Sequence, residues 1–446
     1  MSNKTLFFWS LTVAMAGLLF GFDTVVISGA DLALQDLWDR GELFHGVVIM
    51  SSALWGTVVG AVFGSVPSDR FGRKPTLLFI GVLYTLSAVG CAIAADPWSF
   101  AAFRFLGGLG VGASTVAAPA YISEIAPANS RGRLVALYQF NIVLGILVAF
   151  LSNFFIDAVI DSPDAWRWML GVEAFPAAIY TLLVLSVPES PRWLAIQSGK
   201  TEKAFSILKS IMPAGEAEAE LGGILARRGD ENAGRMSIWQ PRFRRPLILA
   251  FLIAMFNQFS GINAFLYYAP RIFESAGLDS GSALLSSVGI GLTNLVFTLV
   301  GMSLIDRFGR RQLMFIGSAG YIVSLSMVSM AFFLGWKGLT VPGFFFLFIA
   351  SHAIGQGTVI WVFISEIFPT QLRASGQAFG SSTHWVLAAA IPSMVPVLFS
   401  SIGPATVFAC FAGMMVLQLL FVFRMMPETK AIPLEVLGDS ISKHNK

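Results

Sequence analysis

The chain has 446 residues, 55% of them apolar and only 12% charged, with a net charge of +3 and a mean hydropathy of +0.73. A soluble protein of this length needs far more charge to cover its surface, so the composition excludes a water-soluble enzyme or binding module. The two cysteines, Cys91 and Cys410, fall in distant apolar runs and make no disulfide framework.

Apolar runs of roughly 20 residues, long enough to cross a bilayer as helices, recur along the chain. In order they predict twelve spans, at 6–30, 45–66, 75–95, 98–122, 133–157, 166–187, 246–272, 282–304, 312–334, 341–365, 374–400 and 403–424. The first is too long for a cleaved leader, and no small-residue cleavage site ends it before the acidic stretch Asp31–Asp39. Residues 189–245 form the one long polar segment. Within it Lys200–Ile211 has helical periodicity and Ala214–Leu221 is rich in Ala and Glu. It reads as short helices joining two halves, being too thin in apolar residues for a soluble domain. The predicted organisation is a six-helix bundle over 1–188, a cytoplasmic linker over 189–245, a second six-helix bundle over 246–426 and a cytoplasmic tail over 427–446.

Charge predicts the orientation. With both termini in the cytoplasm, only Arg40, Arg167, Arg271 and Lys337 fall in outside loops, and nearly every other Lys and Arg faces inward. The net charge is therefore topological and implies no nucleic-acid partner. The surroundings are membrane lipids, and nothing in this layout requires a second copy, so a functional monomer is expected. Short outside loops point to a bacterial inner membrane.

Three polar motifs occur twice. Asp69-Arg70-Phe71-Gly72-Arg73-Lys74 returns as Asp306-Arg307-Phe308-Gly309-Arg310-Arg311. Ser123-Glu124-Ile125-Ala126-Pro127, with Arg131 and Arg133 downstream, returns as Ser365-Glu366-Ile367-Phe368-Pro369 with Arg373. Pro188-Glu189-Ser190 returns as Pro427-Glu428-Thr429. Each copy lies about 240 residues after the first, the signature of a duplicated membrane unit. The acids and arginines sit where helices leave the membrane, and Asp69 is placed to meet a helix N-terminus or a neighbouring arginine. Arg70, Arg73, Arg131 and Arg133 are expected near Glu124 and Glu189, and Asp306, Arg307 and Arg310 near Glu366 and Arg373. Positive-inside topology alone would not need acids interleaved at matched positions.

Together with Gly21-Phe22-Asp23, Pro188-Glu189-Ser190-Pro191-Arg192-Trp193, Gln258-Phe259-Ser260-Gly261-Ile262-Asn263 and Pro427-Glu428-Thr429-Lys430, these motifs cover nearly the whole chain. The sequence resembles the sugar porter family of the major facilitator superfamily, and within it the bacterial xylose– and glucose–proton symporters. The resemblance implies an all-α membrane protein with twelve helices in two bundles. It also implies a cytoplasmic salt-bridge latch that favours the outward-open state, built from the residues just named with Arg192 and Glu428.

Charges deep in a membrane span are rare and functional by default. Asp23 is in the middle of span 1, Arg104 opens span 4 beside Gly107, Gly108, Gly110 and Gly112, and Glu173 lies in span 6. An ionised aspartate can pair with the arginine, and a carboxylate that loses its cation in an apolar interior takes up a proton more readily. That is a route to coupling proton movement to conformation; a static buried ion pair is the alternative. By resemblance, Asp23 stands where proton-coupled members carry an aspartate, and Glu173 matches a second acid of the symporters.

A sugar needs hydrogen bonds to its hydroxyls and apolar or aromatic faces for its C–H side. Gln139, Gln258, Asn263 and Asn294 are amides inside apolar spans, and Phe20, Trp361 and Trp385 offer rings. Phe20 lies three residues before Asp23, on one side of the first helix. By resemblance the four amides and Trp361 fall on the family's sugar positions, and Tyr267 and Tyr268 on an aromatic pair that closes over the sugar from outside. Two positions depart from the family: Asn257 stands where a second glutamine is common, and His384 where an amide is common. His45 and His352, near span ends, carry no assigned role. The chain has no metal-ligand spacing, nucleophile elbow or phosphate loop, so no metal, cofactor or enzymatic activity is expected. The expected function is proton-coupled symport of a monosaccharide, a hexose ahead of a pentose. A facilitative uniporter, a non-transporting sugar sensor and a drug exporter stand as alternatives.

Overall fold

A computed structural model describes residues 2–127, 130–227, 237–369 and 372–430. Residues 228–236 of the expected linker and 431–446 of the expected tail lie outside the described residues. Those described are helical throughout their ordered elements, with no strand among them. Lipid supplies no hydrogen-bond partners, so an apolar chain satisfies its backbone by coiling on itself.

Ten helices are long and apolar enough to cross a membrane, and Glu42–Met50 with Ser52–Phe63, bent by 43°, supplies a further span. The last helix, Arg373–Arg424, runs for 52 residues but breaks at Gly403, whose φ is +77°. At 1.5 Å per residue an unbroken helix of that length would be more than twice as long as a bilayer's ~30 Å core, so it counts as two spans. The twelve expected spans are accounted for. Large apolar side chains such as Phe63, Phe79, Leu182 and Phe333 are exposed along them, as lipid-facing residues must be.

The chain divides into two compact units. The first comprises Met1–Thr24, Trp55–Ile146 and Leu170–Arg235, and the second Val25–Leu54, Leu147–Met169 and Met236–Lys446. In the first unit, backbones touch along glycine stripes. A Cβ on Gly17 or Gly21 would run into the carbonyls of Tyr138 and Ile142, and one on Gly145 into that of Leu18. Gly56 and Gly60 meet the carbonyls of Phe105 and Leu109 in the same way. With lipid outside, helices gain little by hiding apolar surface, and close backbone approach supplies the attraction instead. Three short helices, Pro191–Ile196, Thr201–Ile211 and Ala214–Arg227, cover this unit. Leu208, Ile211 and Ala217 join a core that includes Leu77, Tyr84, Ile122 and Tyr180.

The second unit has an aromatic core. Phe265 stacks on Phe345 with centroids 4.0 Å apart, and Phe273, Phe348 and Phe408 pack edge-on around them. The seventh span breaks at Ser260-Gly261, where Gly261 adopts a φ of +83°. The tenth changes into a π turn over Ala353–Gly357.

Gly21→Val should cost about 1–3 kcal/mol by overpacking, read as a lower melting temperature of the detergent-solubilised protein. Gly413→Ala, with nothing within 4 Å of the added carbon, is the control. Equal melting of the two variants would contradict backbone contact at Gly21.

Candidate functional site

In the first unit Asp23 and Arg104 are 2% and 1% exposed. Arg104 Nη1 donates to Asp23 Oδ1 at 2.5 Å, and Nη2 donates to the Asp23 backbone carbonyl at 3.0 Å. Arg104 reaches across because Gly107, one turn on, has no side chain: a Cβ there would collide with Ser87 and lie 3.4 Å from Asp23 Oδ1. Glu173, 2% exposed, sits at a break between Ala165–Gly171 and Ala174–Ser186, beside Asp23 and Arg104. The structure thus gathers the three ionisable residues singled out in the sequence. A buried carboxylate pair with one arginine is a place where a proton can be held or released while the guanidinium stays anchored to a backbone carbonyl. Gln139 and Phe20 belong to the same unit, both half-buried, and the Phe20 carbonyl accepts from Thr24 Oγ1.

The second unit holds the other sugar candidates. Gln258 is 1% exposed. Its Oε1 accepts from Asn263 Nδ2 at 2.9 Å, and its Nε2 donates to Asn257 Oδ1 at 2.9 Å and lies 3.2 Å from His384 Nδ1. The His384 ring is 5.0 Å from those of both Trp361 and Trp385. Gln258, Asn263, Asn257, His384, Trp361 and Trp385 therefore form one connected group. Asn294 is buried separately and accepts from Thr298 Oγ1 at 3.4 Å. Tyr267 and Tyr268 are both buried. Tyr268 leaves helical geometry two residues before Pro270, and its hydroxyl donates to the Pro392 carbonyl at 3.0 Å.

Two polar groups extend beyond the residues singled out in the sequence. Asn257 Nδ2 faces Gln356 Oε1 at 3.5 Å, and Gln356 Nε2 donates to Gln418 Oε1 at 2.8 Å. Gln356 and Gln418 carry the same signal as the chosen amides, a polar side chain inside an apolar span. The other group centres on Asp31, which is 1% exposed. It meets His45 Nε2 at 2.6 Å and Arg271 Nε at 2.6 Å, while Arg271 also bonds Gln35. Asp31, His45 and Arg271 read as loop and span-end residues, so their convergence was invisible in one dimension.

The repeated motifs are wired alike in both units. Arg73 grips Glu124 with two bonds of 2.9 and 3.0 Å and reaches Asp69 at 3.0 Å. Arg310 grips Glu366 at 2.8 and 3.1 Å and reaches Asp306 at 3.4 Å. Gly72 and Gly309, with φ of +106° and +89°, leave room for a carboxylate and turn the next two N–H groups toward it. Glu189 accepts from the backbone of Arg73 and Lys74, and Glu428 from that of Arg310 and Arg311. Each glutamate thereby occupies a helix N-terminus. Of the two placements expected for Asp69, the arginine is realised and the helix N-terminus goes to Glu189. Arg70 and Arg307 lie over Phe71 and Phe308, Arg131 and Arg373 bond the carbonyls of Ala126 and Ser365, and Arg133 is exposed. Arg192 lines a crevice with Glu124, Arg131 and Glu220.

Residues 9–439 match the family model described as sugar (and other) transporter. The chain is 36% identical over 436 residues to an arabinose-proton symporter of Bacillus subtilis (strain 168), a match spanning 96% of this chain and 93% of that one. It is 33% identical over 477 residues to the D-xylose-proton symporter of Escherichia coli (strain K12), spanning 98% and 96%. An inward-open structure of the xylose transporter XylE from E. coli superposes with a TM-score of 0.87 at 31% identity, covering 98% of this chain and 99% of that one. The resemblance and the helical fold read from the motifs are both borne out.

The two clasps differ in their response to acid. Burial pushes Glu189 above the ordinary glutamate value of 4.5. Burial would raise Glu428 too, but backbone N–H groups of Lys430, Arg310, Arg311 and Thr429 outweigh it and hold Glu428 below that value. Glu428 therefore contributes stability at neutral pH that is lost as pH falls through its lowered value, whereas the contribution of Glu189 is present in acid and lost as pH rises through its raised one. In melting curves taken from pH 7 downward, Glu428→Gln should flatten the acid limb and Glu189→Gln should steepen it. Unchanged limbs, or the reverse order, would contradict this wiring.

Proposed function

The chain belongs to the sugar transporter family, and from that premise we propose that it is a secondary transporter that carries a monosaccharide together with a proton by alternating access. It is a multi-pass protein of the plasma membrane and a transporter, not an enzyme. The observation that carries proton coupling is the Asp23–Arg104 pair, sealed from water with a second carboxyl beside it. Asp23 is the proton carrier. Arg104 is its switchable partner, and Glu173 shares the charge. Because Arg104 also holds the Asp23 carbonyl, protonation of the carboxylate removes one of its bonds and leaves another. An isolated charge in this setting costs several kcal/mol, so protonation and the arrangement of the pair change together.

Gln139, Gln258, Asn263, Asn294 and Trp361 are assigned to the sugar, with Phe20, Asn257, His384 and Trp385 beside them and Tyr267 and Tyr268 as the outer gate. The support is chemical. Amides that both donate and accept, next to ring faces, fit a polyol with apolar edges. The relatives' names include arabinose and xylose, and a hexose is placed ahead of these pentoses as the first sugar to test. The charge clusters are assigned to a latch at the cytoplasmic end. One protein molecule suffices for this cycle, and no nucleic acid enters it.

Uptake of labelled glucose, xylose and arabinose into proteoliposomes, with and without an imposed proton gradient, tests the reading. Asp23→Asn should retain sugar binding and counterflow yet lose accumulation. If it concentrates sugar as wild type does, Asp23 is not the carrier, and if a gradient drives no accumulation in wild type, the protein is a uniporter. For the latch, Glu366→Gln should raise labelling of cysteines placed on the cytoplasmic side relative to the outside while sugar still binds. An unchanged ratio counts against it.

A further inference from the structure

We propose that Gln356, Gln418 and Ser318 are positioning residues that fix which atoms the sugar-binding amides present. The inference rests on the assignment of Gln258 and Asn263 to the sugar, and it adds residues that touch no sugar themselves. The series begins at a backbone carbonyl. Ser318 Oγ donates to the Met314 carbonyl at 2.7 Å. A hydroxyl has one proton, so Ser318 can only accept from its other neighbour, Gln418 Nε2 at 2.8 Å. With its NH2 turned to Ser318, Gln418 must offer Oε1 to Gln356, which donates to it at 2.8 Å. The NH2 of Gln356 also faces the Ile253 carbonyl at 3.4 Å, so its Oε1 faces Asn257. Asn257 then gives Nδ2 to Gln356 and Oδ1 to Gln258, and Gln258 in turn accepts from Asn263. The acceptor left at the end of the series is Asn263 Oδ1.

An amide's oxygen and nitrogen look alike by shape alone, and their assignment comes from the network they join. Here the network has a fixed end. Reversing any one amide in the series sets donor against donor or acceptor against acceptor. The members up to Gln258 are sealed from water, with Gln356, Gln418 and Ser318 at 0%, Gln258 at 1% and Asn257 at 3% exposure, so no water relieves a mismatch among them, and an unmet buried group is costly; Asn263, at the end, is half-buried. The fold brings the members together. Gln356 sits in the π turn Ala353–Gly357, a local insertion that redirects side chains and recurs at functional sites. Gly355 and Gly317 lack side chains where their helices touch, and a Cβ on Gly355 would lie 2.9 Å from Gly317 Cα. The relay therefore sets the polarity at Asn263 and Gln258 from a carbonyl in the ninth span. Polarity of that kind decides whether a sugar hydroxyl placed against these amides must donate or accept, and so which hydroxyl arrangements bind best.

The test is a double-mutant cycle on the full-length protein in lipid nanodiscs, with Kd for D-glucose, D-xylose and L-arabinose read by calorimetry. Ser318→Ala, the mildest change, removes the fixed acceptor; Gln356→Met breaks the series in the middle, and Gln418→Met replaces it if Gln356→Met does not fold. Each should raise Kd for the best-bound sugar about fivefold or more, the usual size for one lost buried bond. In an Asn263→Ala background the same changes should shift Kd less than about twofold, because they act through that side chain. The ranking of the three sugars should also change in Ser318→Ala. A purely structural role predicts the same factor in both backgrounds and an unaltered ranking, and either that result or an unchanged Kd overturns the relay. If wild type binds none of the three sugars, or if Gln258→Ala and Asn263→Ala bind as wild type does, the sugar-site assignment falls and takes the relay with it.

Discussion

A charge inside an apolar helix bundle cannot be left alone, and the first unit is arranged around that constraint. Arg104 is among the largest fully buried side chains of the described residues. Asp23 meets it there with both carboxylate and backbone carbonyl, which makes it tolerable. For the two to meet, their helices must come close and the helix carrying Arg104 must be bare beside it, at Gly107. The glycine stripes of the first, second, fourth and fifth spans serve the same end, since they let backbones touch and hold the pair in register. Glu173 makes the arrangement poised rather than settled. Two buried carboxyls lie near one guanidinium, which pairs with Asp23, so a single proton can change how the charge is balanced.

The duplicated motifs solve a second version of the same problem at the charged end of each unit. A glycine with positive φ starts a helix, the two N–H groups after it are turned to a glutamate from the end of the unit's last span, and the arginine beside it grips a glutamate from the fourth or tenth span. The wiring is the same in both units, although Ser190-Pro191-Arg192 in one is replaced by Thr429-Lys430 in the other. Thr429 compensates by donating its hydroxyl to Glu366 at 2.6 Å. Trp193 Nε1 in one unit and Lys430 Nζ in the other each bond a backbone carbonyl of the first motif, at Asp69 and Arg307.

Much of this was legible in the sequence because membrane chains advertise their exceptions. Twelve apolar runs, duplicated polar motifs and two acids with one base inside apolar spans each stand out against a background with few charges. Asp23, Arg104 and Glu173 could be chosen together because there was little else to choose. What could not be read was pairing across distance. Glu189 caps a helix that begins 116 residues earlier, while Asp69, for which a helix N-terminus was one of two expected placements, pairs with Arg73 instead. Asp31, His45 and Arg271 were divided between loops and span ends, and only folding brings them into one cluster. Gln356 and Gln418 obeyed the rule that selected Gln258, but no family motif drew attention to them.

The Asp23–Arg104 pair is proposed to take up and release a proton with each sugar. The most direct measurement is internal pH in tightly sealed proteoliposomes when sugar is added outside, with no gradient imposed. Internal pH should fall as sugar enters, in proportion to the sugar taken up, and a protonophore should collapse the change. Sugar entry at constant internal pH would contradict this coupling.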